Sequence, residues 1–444
     1  MKNHSAAKIK KLLMNCVENL RRNAKQFLRE PEKNFIRNRK LPFSEIVTSL
    51  LSMSGGSIAN ELMDHFCCKR STPSTSAFVQ QRAKILPEAF EALFHKFNAA
   101  VHNNSRHNGY RLLAVDGSDL HIATDPNDTD SYYPSINEHK SYNLLHLNAM
   151  YDLCSNTYVD AVIQKSHSAN EYKAFIAMTD RFPSDSKTIF IADRGYESYN
   201  NMAHIQERGM NFLIRIKDIS GNGIVKGLNL PDTDEFDSSV DLFLTRKQTH
   251  ETKNLARNNS NYKFIPNNVR FDFLPDHTRK SIPVAPFLLH VRLVRFKITD
   301  DTYEMIVTNL DRNDFSSEDL KKLYFMRWGI ETSFRALKYT IGLLHFHSKK
   351  AEYIYQEIFA KLTMYNFTEL ITSQVIILQK NRKHLYKANF SAAAHVCRSF
   401  ILKNISPPDV EALILRHICP VRPNRKRPRN IITKNAVSFM YRIA

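Results

Sequence analysis

The chain has 444 residues, 43% hydrophobic and 24% charged, the proportions of a globular protein long enough for two or three domains. Its net charge of +19 sits at the ends: residues 1–100 carry 17 Lys and Arg against 8 Asp and Glu, residues 371–444 carry 14 against 2, and the remainder 32 against 34. No apolar run approaches the ~18 residues of a membrane span and no signal peptide is read after Met1, so the expectation is a cytoplasmic protein whose basic ends meet a polyanion, nucleic acid before an anionic membrane.

Residues 1–105 read as a helical domain, with helical periodicity from Ile9 to Val17. Ser57–Phe66 and a second helix opening at the N-cap Ser74 flank a short polar turn. That outline fits a helix-turn-helix whose second helix offers Gln80, Gln81 and Arg82 to a DNA groove, although any small helical bundle contains similar pairs.

From residue 106 the pattern becomes α/β. Leu112–Val115 is a buried-strand run ending at Asp116, and Leu144–Leu153 with Thr157–Gln164 form a strand pair about Ser155-Asn156. Helix Glu171–Arg181, buried strand Thr188–Ala192 ending at Asp193, helix Ser198–Arg208 and strand Asn211–Lys217 follow. This order predicts a mixed sheet with helices on its faces. Residues 218–300 are rich in Asn, Asp and Pro, with alternating runs at Val269–Phe273 and Phe287–Arg295, and read as a β-rich insertion. Tyr303–Leu310 returns as a strand.

Ser316 and Asp319 make a capping box that opens a long helix. At about 100° per residue, Tyr324, Arg327, Glu331, Arg335 and Lys338 fall within a stripe about 80° wide, a lone carboxylate among cations and a phenol. Leu323, Ile330, Phe334 and Leu337 supply the apolar stripe beside it. The plainer reading is an amphipathic helix carrying an Arg327–Glu331 ion pair at i,i+4. The last 75 residues begin helical and end in a Pro-spaced basic tract holding Arg422, Arg425, Lys426, Arg427 and Arg429. The six cysteines have no C-x-x-C spacing and read as reduced, scattered thiols.

Asp116 and Asp193 each follow a buried strand. If those strands are neighbours, their carboxylates converge, and a helix can bring Glu331 to them. Three carboxylates in a cleft repel one another unless a cation neutralises them, and hard oxygen ligands favour Mg²⁺ or Mn²⁺. Two such ions ~4 Å apart can drive an in-line phosphoryl displacement. Each aspartate alone is equally good turn chemistry, and Asp119, Asp125, Asp128 and Asp130 are acidic neighbours left out of the set.

The spacing Y-x2-R-x3-E-x6-K, here Tyr324, Arg327, Glu331 and Lys338, resembles the YREK signature of DDE transposases of bacterial insertion sequences, in the insertion-sequence-four subgroup. Trp328, Ile330, Phe334 and Leu337 extend the match. Val115-Asp116-Gly117-Ser118 and Ala192-Asp193-Arg194-Gly195-Tyr196 resemble the two aspartate motifs, and His146 and Asn170-Glu171 stand where the subgroup has similar residues. The resemblance covers about residues 110–345. It implies an RNase H-like catalytic domain (106–345) with a β-rich insertion, between the helical N-terminal domain and a basic C-terminal region (346–444). Asp116, Asp193 and Glu331 would ligate two Mg²⁺ ions, for which Mn²⁺ can substitute, and Tyr324, Arg327 and Lys338 would hold DNA phosphates. Some relatives trap a flipped base with a tryptophan in the insertion; the single tryptophan here, Trp328, lies in the signature helix instead. The function implied is cut-and-paste transposition by a homodimer pairing double-stranded transposon ends, in a bacterial, nucleoid-associated setting. The alternatives are a transposase-derived DNA-binding protein or repressor without catalysis, and a generic RNase H-like nuclease.

Overall fold

The computed structural model describes residues 5–37, 40–101, 105–136, 140–219, 221–275, 285–300, 302–379, 384–402 and 409–421; the basic tract with Arg425, Lys426 and Arg427 lies outside them. Five helices come first: α1 (Ala6–Arg22), α2 (Phe43–Ser52), α3 (Ile58–His65), α4 (Thr75–Arg82) and α5 (Glu88–Ala100). Serine hydroxyls cap three of them, Ser5 on Lys8 N–H, Ser57 on Asn60 N–H and Ser74 on Ala77 N–H.

The α/β part runs β1 (Arg111–Ile122), β2 (Tyr132–Tyr133), β3 (Tyr142–Asp152), β4 (Thr157–Lys165), α6 (Glu171–Arg181), β5 (Thr188–Ala192), α7 (Tyr199–Glu207) and β6 (Asn211–Ile216). It continues with β7 (Phe236–Thr245), α8 (His250–Asn258), β8 (Tyr262–Phe264), β9 (Phe287–Thr299), β10 (Thr302–Thr308), α9 (Ser317–Met326) and α10 (Trp328–Ala336). The chain then forms α11 (Ala351–Thr372), β11 (Tyr386–Ala388), α12 (Phe390–Ile401), α13 (Asp409–Arg416) and β12 (Ile418–Pro420). None of the described helices is long and apolar enough to cross a membrane.

The strands form one large sheet in the order β2-β3-β1-β5-β6-β10-β9-β7-β8, with β4 on β3, and β1, β5 and β6 are parallel. Side chains alternate across it. Leu113, Val115, Phe190 and Ala192 pack with Phe175 and Met178 of α6 and Met202 and Ile205 of α7 on one face. Leu112, Ile189 and Ile191 pack with Leu320, Leu323 and Tyr324 of α9 on the other, and Ala114 joins Ile330 and Phe334 of α10 there.

Two sequence expectations change. Asp116 does not follow β1 but lies within it, because β3 supplies antiparallel partners from Leu113 through Ile122. Within 218–300, β7 and β9 extend the central sheet past β10. Val269–Phe273 is not a strand, since the Arg246 guanidinium takes the carbonyls of Pro266, Val269 and Phe271 that a neighbouring strand would need.

The helix pair α3–α4 forms as expected, but Arg82 is not offered to a groove. It is 2% exposed and pairs with Glu357 of α11 at 2.8 Å, while its Nε donates to Gln356 at 2.8 Å. Helix α11 is buried nearly all round and shares one core with α1, α2, α5 and α12, so α11 and α12 pack with the N-terminal helices. Arg82→Ala takes the guanidinium from the buried Glu357 carboxylate, which keeps His347 as a partner, and is expected to cost about 3 kcal/mol in denaturant unfolding, whereas exposed Gln80→Ala should fall within about 0.5 kcal/mol of the parent. Equal, small effects would show that Arg82 is not part of the packing.

Candidate active site

Parallel pairing sets Val115 of β1 opposite Ala192 of β5, so Asp116 and Asp193 occupy the next level of adjacent strands. By the period of two, both share the parity of Ala114 and Ile191 and face the side of the sheet covered by α9 and α10. The N-terminus of α9 is held by the capping box, Ser316 Oγ accepting from Asp319 N–H and Asp319 from Ser316 N–H. The helical path is interrupted for one residue at Arg327, then resumes as α10. Leu323, Ile330, Phe334 and Leu337 are buried as the apolar stripe requires, which turns Arg327 and Glu331 toward the aspartates.

Arg327 links the set. Its guanidinium lies 2.9 Å from Glu331 and 3.5 Å from Asp116, is 3% exposed, and keeps a buried Nε with no partner. Arg215 on β6 plays the matching part at Asp193, at 2.7 Å, and reaches Glu304 of β10 at 3.0 Å. Tyr324 Oη donates to Asp193 at 3.4 Å. Both aspartates also accept from the N–H that follows them, Gly117 and Arg194, so the turn chemistry read from the sequence coexists with the cluster.

The two aspartates differ electrostatically. Burial pushes Asp116 up to about 6, against the pull of Arg327 and the Gly117 N–H, and Glu331 and Asp193 add repulsion. Burial acts the same way on Asp193, but the Arg194 N–H, Arg215 and Arg327 outweigh it and hold that carboxyl below its ordinary value. Tyr324 is raised to about 12, first by burial and then by Asp193.

Among the described residues, no three of Asp, Glu, His and Cys already stand in a metal-ligating arrangement. The carboxylates are instead neutralised by guanidinium groups. The donor set fits a hard divalent cation all the same: three carboxylates that feel one another's charge, one driven up to about 6, share a site that needs positive charge. Binding such an ion there requires Arg327 to give up part of its hold on Asp116 and Glu331.

Lys338 donates to the Asp119 carbonyl at 2.8 Å, and burial lowers its ammonium. Arg335 is exposed on α10, while Gln80 and Gln81 lie away from the cluster on α4, bonded to Ser76 and Lys84. Arg215 was missed because a strand arginine carries no spacing signal. His146 bridges Asp119 at 2.7 Å and Glu171 at 3.1 Å, and although burial opposes its charge, those carboxylates raise it to about 9. A Cβ on Gly117 would meet His146 Nε2 at 2.5 Å and Glu171 Oε1 at 2.7 Å, so glycine beside Asp116 makes room for this pair.

A family model described as the transposase DDE domain matches residues 107–367. No curated protein matches the chain significantly. A solved structure, described as piggyBac transposase in a synaptic complex with hairpin DNA, is similar over 95% of this chain and 87% of its own, at 9% identity and a TM-score of 0.45.

The elevated Asp116 pKa has a stability consequence. Its folded value of about 6 exceeds the unfolded 3.8, so ionising it in the fold opposes stability above about pH 6, and the penalty vanishes below about 4. In metal-free buffer, Asp116→Asn is therefore expected to be more stable than the parent at pH 7.5, by on the order of 2 kcal/mol, and level with it near pH 4. Denaturant melts at the two pH values check this; a variant less stable at pH 7.5 would contradict it.

Proposed function

Because this chain belongs to the DDE transposase family, we propose that it is a DNA transposase that binds the terminal inverted repeats of its own element and cuts and rejoins them. The observation that supports the reading is that Arg327 pairs with both Asp116 and Glu331, while Asp193, at the same level of the neighbouring strand, pairs with Arg215. Domains of this family generally use divalent metal ions. Asp116, Asp193 and Glu331 are the residues to hold Mg²⁺, two ions by our reading, with Mn²⁺ a substitute. The ions would supply an activated water or 3′-hydroxyl and charge stabilisation at phosphorus.

The protein's own groups do the positioning. Arg327, with its unpartnered Nε, can grip a phosphate oxygen as it loosens from the carboxylates, and Lys338 adds a point charge at the Asp119 side. Arg215 keeps Asp193 ionised and ready to ligate. The motif spacing supports placing the protein in the insertion-sequence-four subgroup with an RNase H-like catalytic domain. The basic charge of residues 1–100 and of the 422–429 tract supports double-stranded DNA, transposon ends and target, as partner. We further propose a homodimer on paired ends, acting at the bacterial nucleoid.

Alanine at Asp116, Asp193 or Glu331, one at a time, is expected to leave terminal-repeat binding intact in gel-shift assays. Each should lower Mg²⁺-dependent nicking by orders of magnitude, because such ligands act as a unit. A wild type that binds paired ends yet never nicks in Mg²⁺ or Mn²⁺ favours a repressor. A Glu331→Ala protein that cuts normally sinks the triad. Arg327→Lys should impair cleavage more than end binding; equal loss in both assays would mark Arg327 as purely structural.

A further inference from the structure

Lys338 does not sit in α-helix. Leu337–Ile341 forms a π turn directly after α10, and such turns recur at functional sites. It ends at Gly342, whose φ of +94° favours glycine, and the N–H groups of Gly342 and Leu343 both return to the Leu337 carbonyl. A Cβ on Gly342 would stand 3.2 Å from the Ser54 carbonyl, so the end of the π turn lies directly on the loop between α2 and α3. On the turn's other flank, Arg398 of α12 donates to the Thr340 carbonyl at 3.0 Å.

That loop, Met53 to Gly56, is fastened from two sides by buried charges. Glu61 of α3, 8% exposed, accepts from Ser54 N–H at 3.0 Å, Ser54 Oγ at 3.2 Å and Gly56 N–H at 2.7 Å. Lys361 of α11, 1% exposed, donates to the Met53 and Ser54 carbonyls. Gly55 closes the contact, since a Cβ there would come within 3.1 Å of the His345 ring just past the π turn. A carboxylate and an ammonium are thus desolvated to fix four loop residues, an expense that a mere connection does not need.

We propose that Glu61 is a positioning residue for Lys338: through the Ser54–Gly56 loop it seats Gly342, sets the π turn, and so holds the Lys338 ammonium at the Asp119 carbonyl, on the strand that carries Asp116. The same contacts tie α3, the first helix of the α3–α4 pair, to the site, so a shift of that pair when DNA binds moves Lys338. The functional consequence rests on the transposase reading above; the structural link can be tested without it.

Two measurements separate them. Lysine acetylation read by mass spectrometry follows the Lys338 amine directly. Glu61→Met, which removes the acceptor of all three contacts, should speed its labelling roughly tenfold, within the coupling expected of groups in one network, while Lys96, Lys165 and Lys217 label as before and the melting curve stays cooperative. Unchanged Lys338 labelling overturns the link, whatever the protein does to DNA. If Glu61→Met does not fold, Ser54→Ala removes one of the Glu61 contacts and is read in the same way. In cleavage of terminal-repeat DNA, Glu61→Met and Lys338→Met should each slow nicking, and the double variant should be no slower than Lys338→Met alone. Multiplicative losses would show that Glu61 does not act through Lys338. A wild type without nicking activity but with the expected labelling change would remove the transposase reading and leave the strut standing.

Discussion

Parallel pairing of β1 with β5, in the register that sets Val115 opposite Ala192, decides where two carboxylates stand. Both project from one face beyond the buried stretches Leu112–Val115 and Thr188–Ala192, half-buried themselves, where like charges are costly. The surroundings answer that cost with Arg327 from the α9–α10 corner and Arg215 from β6. Asp193 receives more of this compensation than Asp116, which explains why their carboxyls shift in opposite directions.

The helices around the sheet serve that arrangement. Glu331 reaches the cluster because Leu323, Ile330 and Phe334 bury the adjoining flank of α9–α10. Helix α11 braces the same face while joining the N-terminal helices through Arg82–Glu357, and Lys361 and Glu61 fix the loop under the π turn. The N-terminal helices and the sheet are therefore parts of one packed structure.

Local signals in the sequence were dependable. The capping box at Ser316, the Ser74 cap before α4 and the apolar run of β5 act over a few residues, and the elements lie where those signals put them. The stripe of Tyr324, Arg327 and Glu331 was legible for the same reason, as was the convergence of the two aspartate strands. What could not be read depends on partners far along the chain. Asp116 lies inside β1 because β3 pairs with it. Arg82 turns inward because Glu357 waits 275 positions later, and Arg246 robs Val269–Phe273 of its strand bonds. Charge in a strand, as at Arg215, and a π turn replacing the last helical turn leave no period to detect.

If Asp116, Asp193 and Glu331 hold a divalent ion as proposed, that ion and Arg327 compete for the same carboxylates. Anomalous diffraction from crystals grown with Mn²⁺ tests this most directly. The account predicts manganese density touching Asp116 and at least one of Asp193 and Glu331, with the Arg327 guanidinium drawn away from Asp116. Crystals saturated with Mn²⁺ that show no ion at these carboxylates, and Arg327 still bridging Asp116 and Glu331, would contradict it.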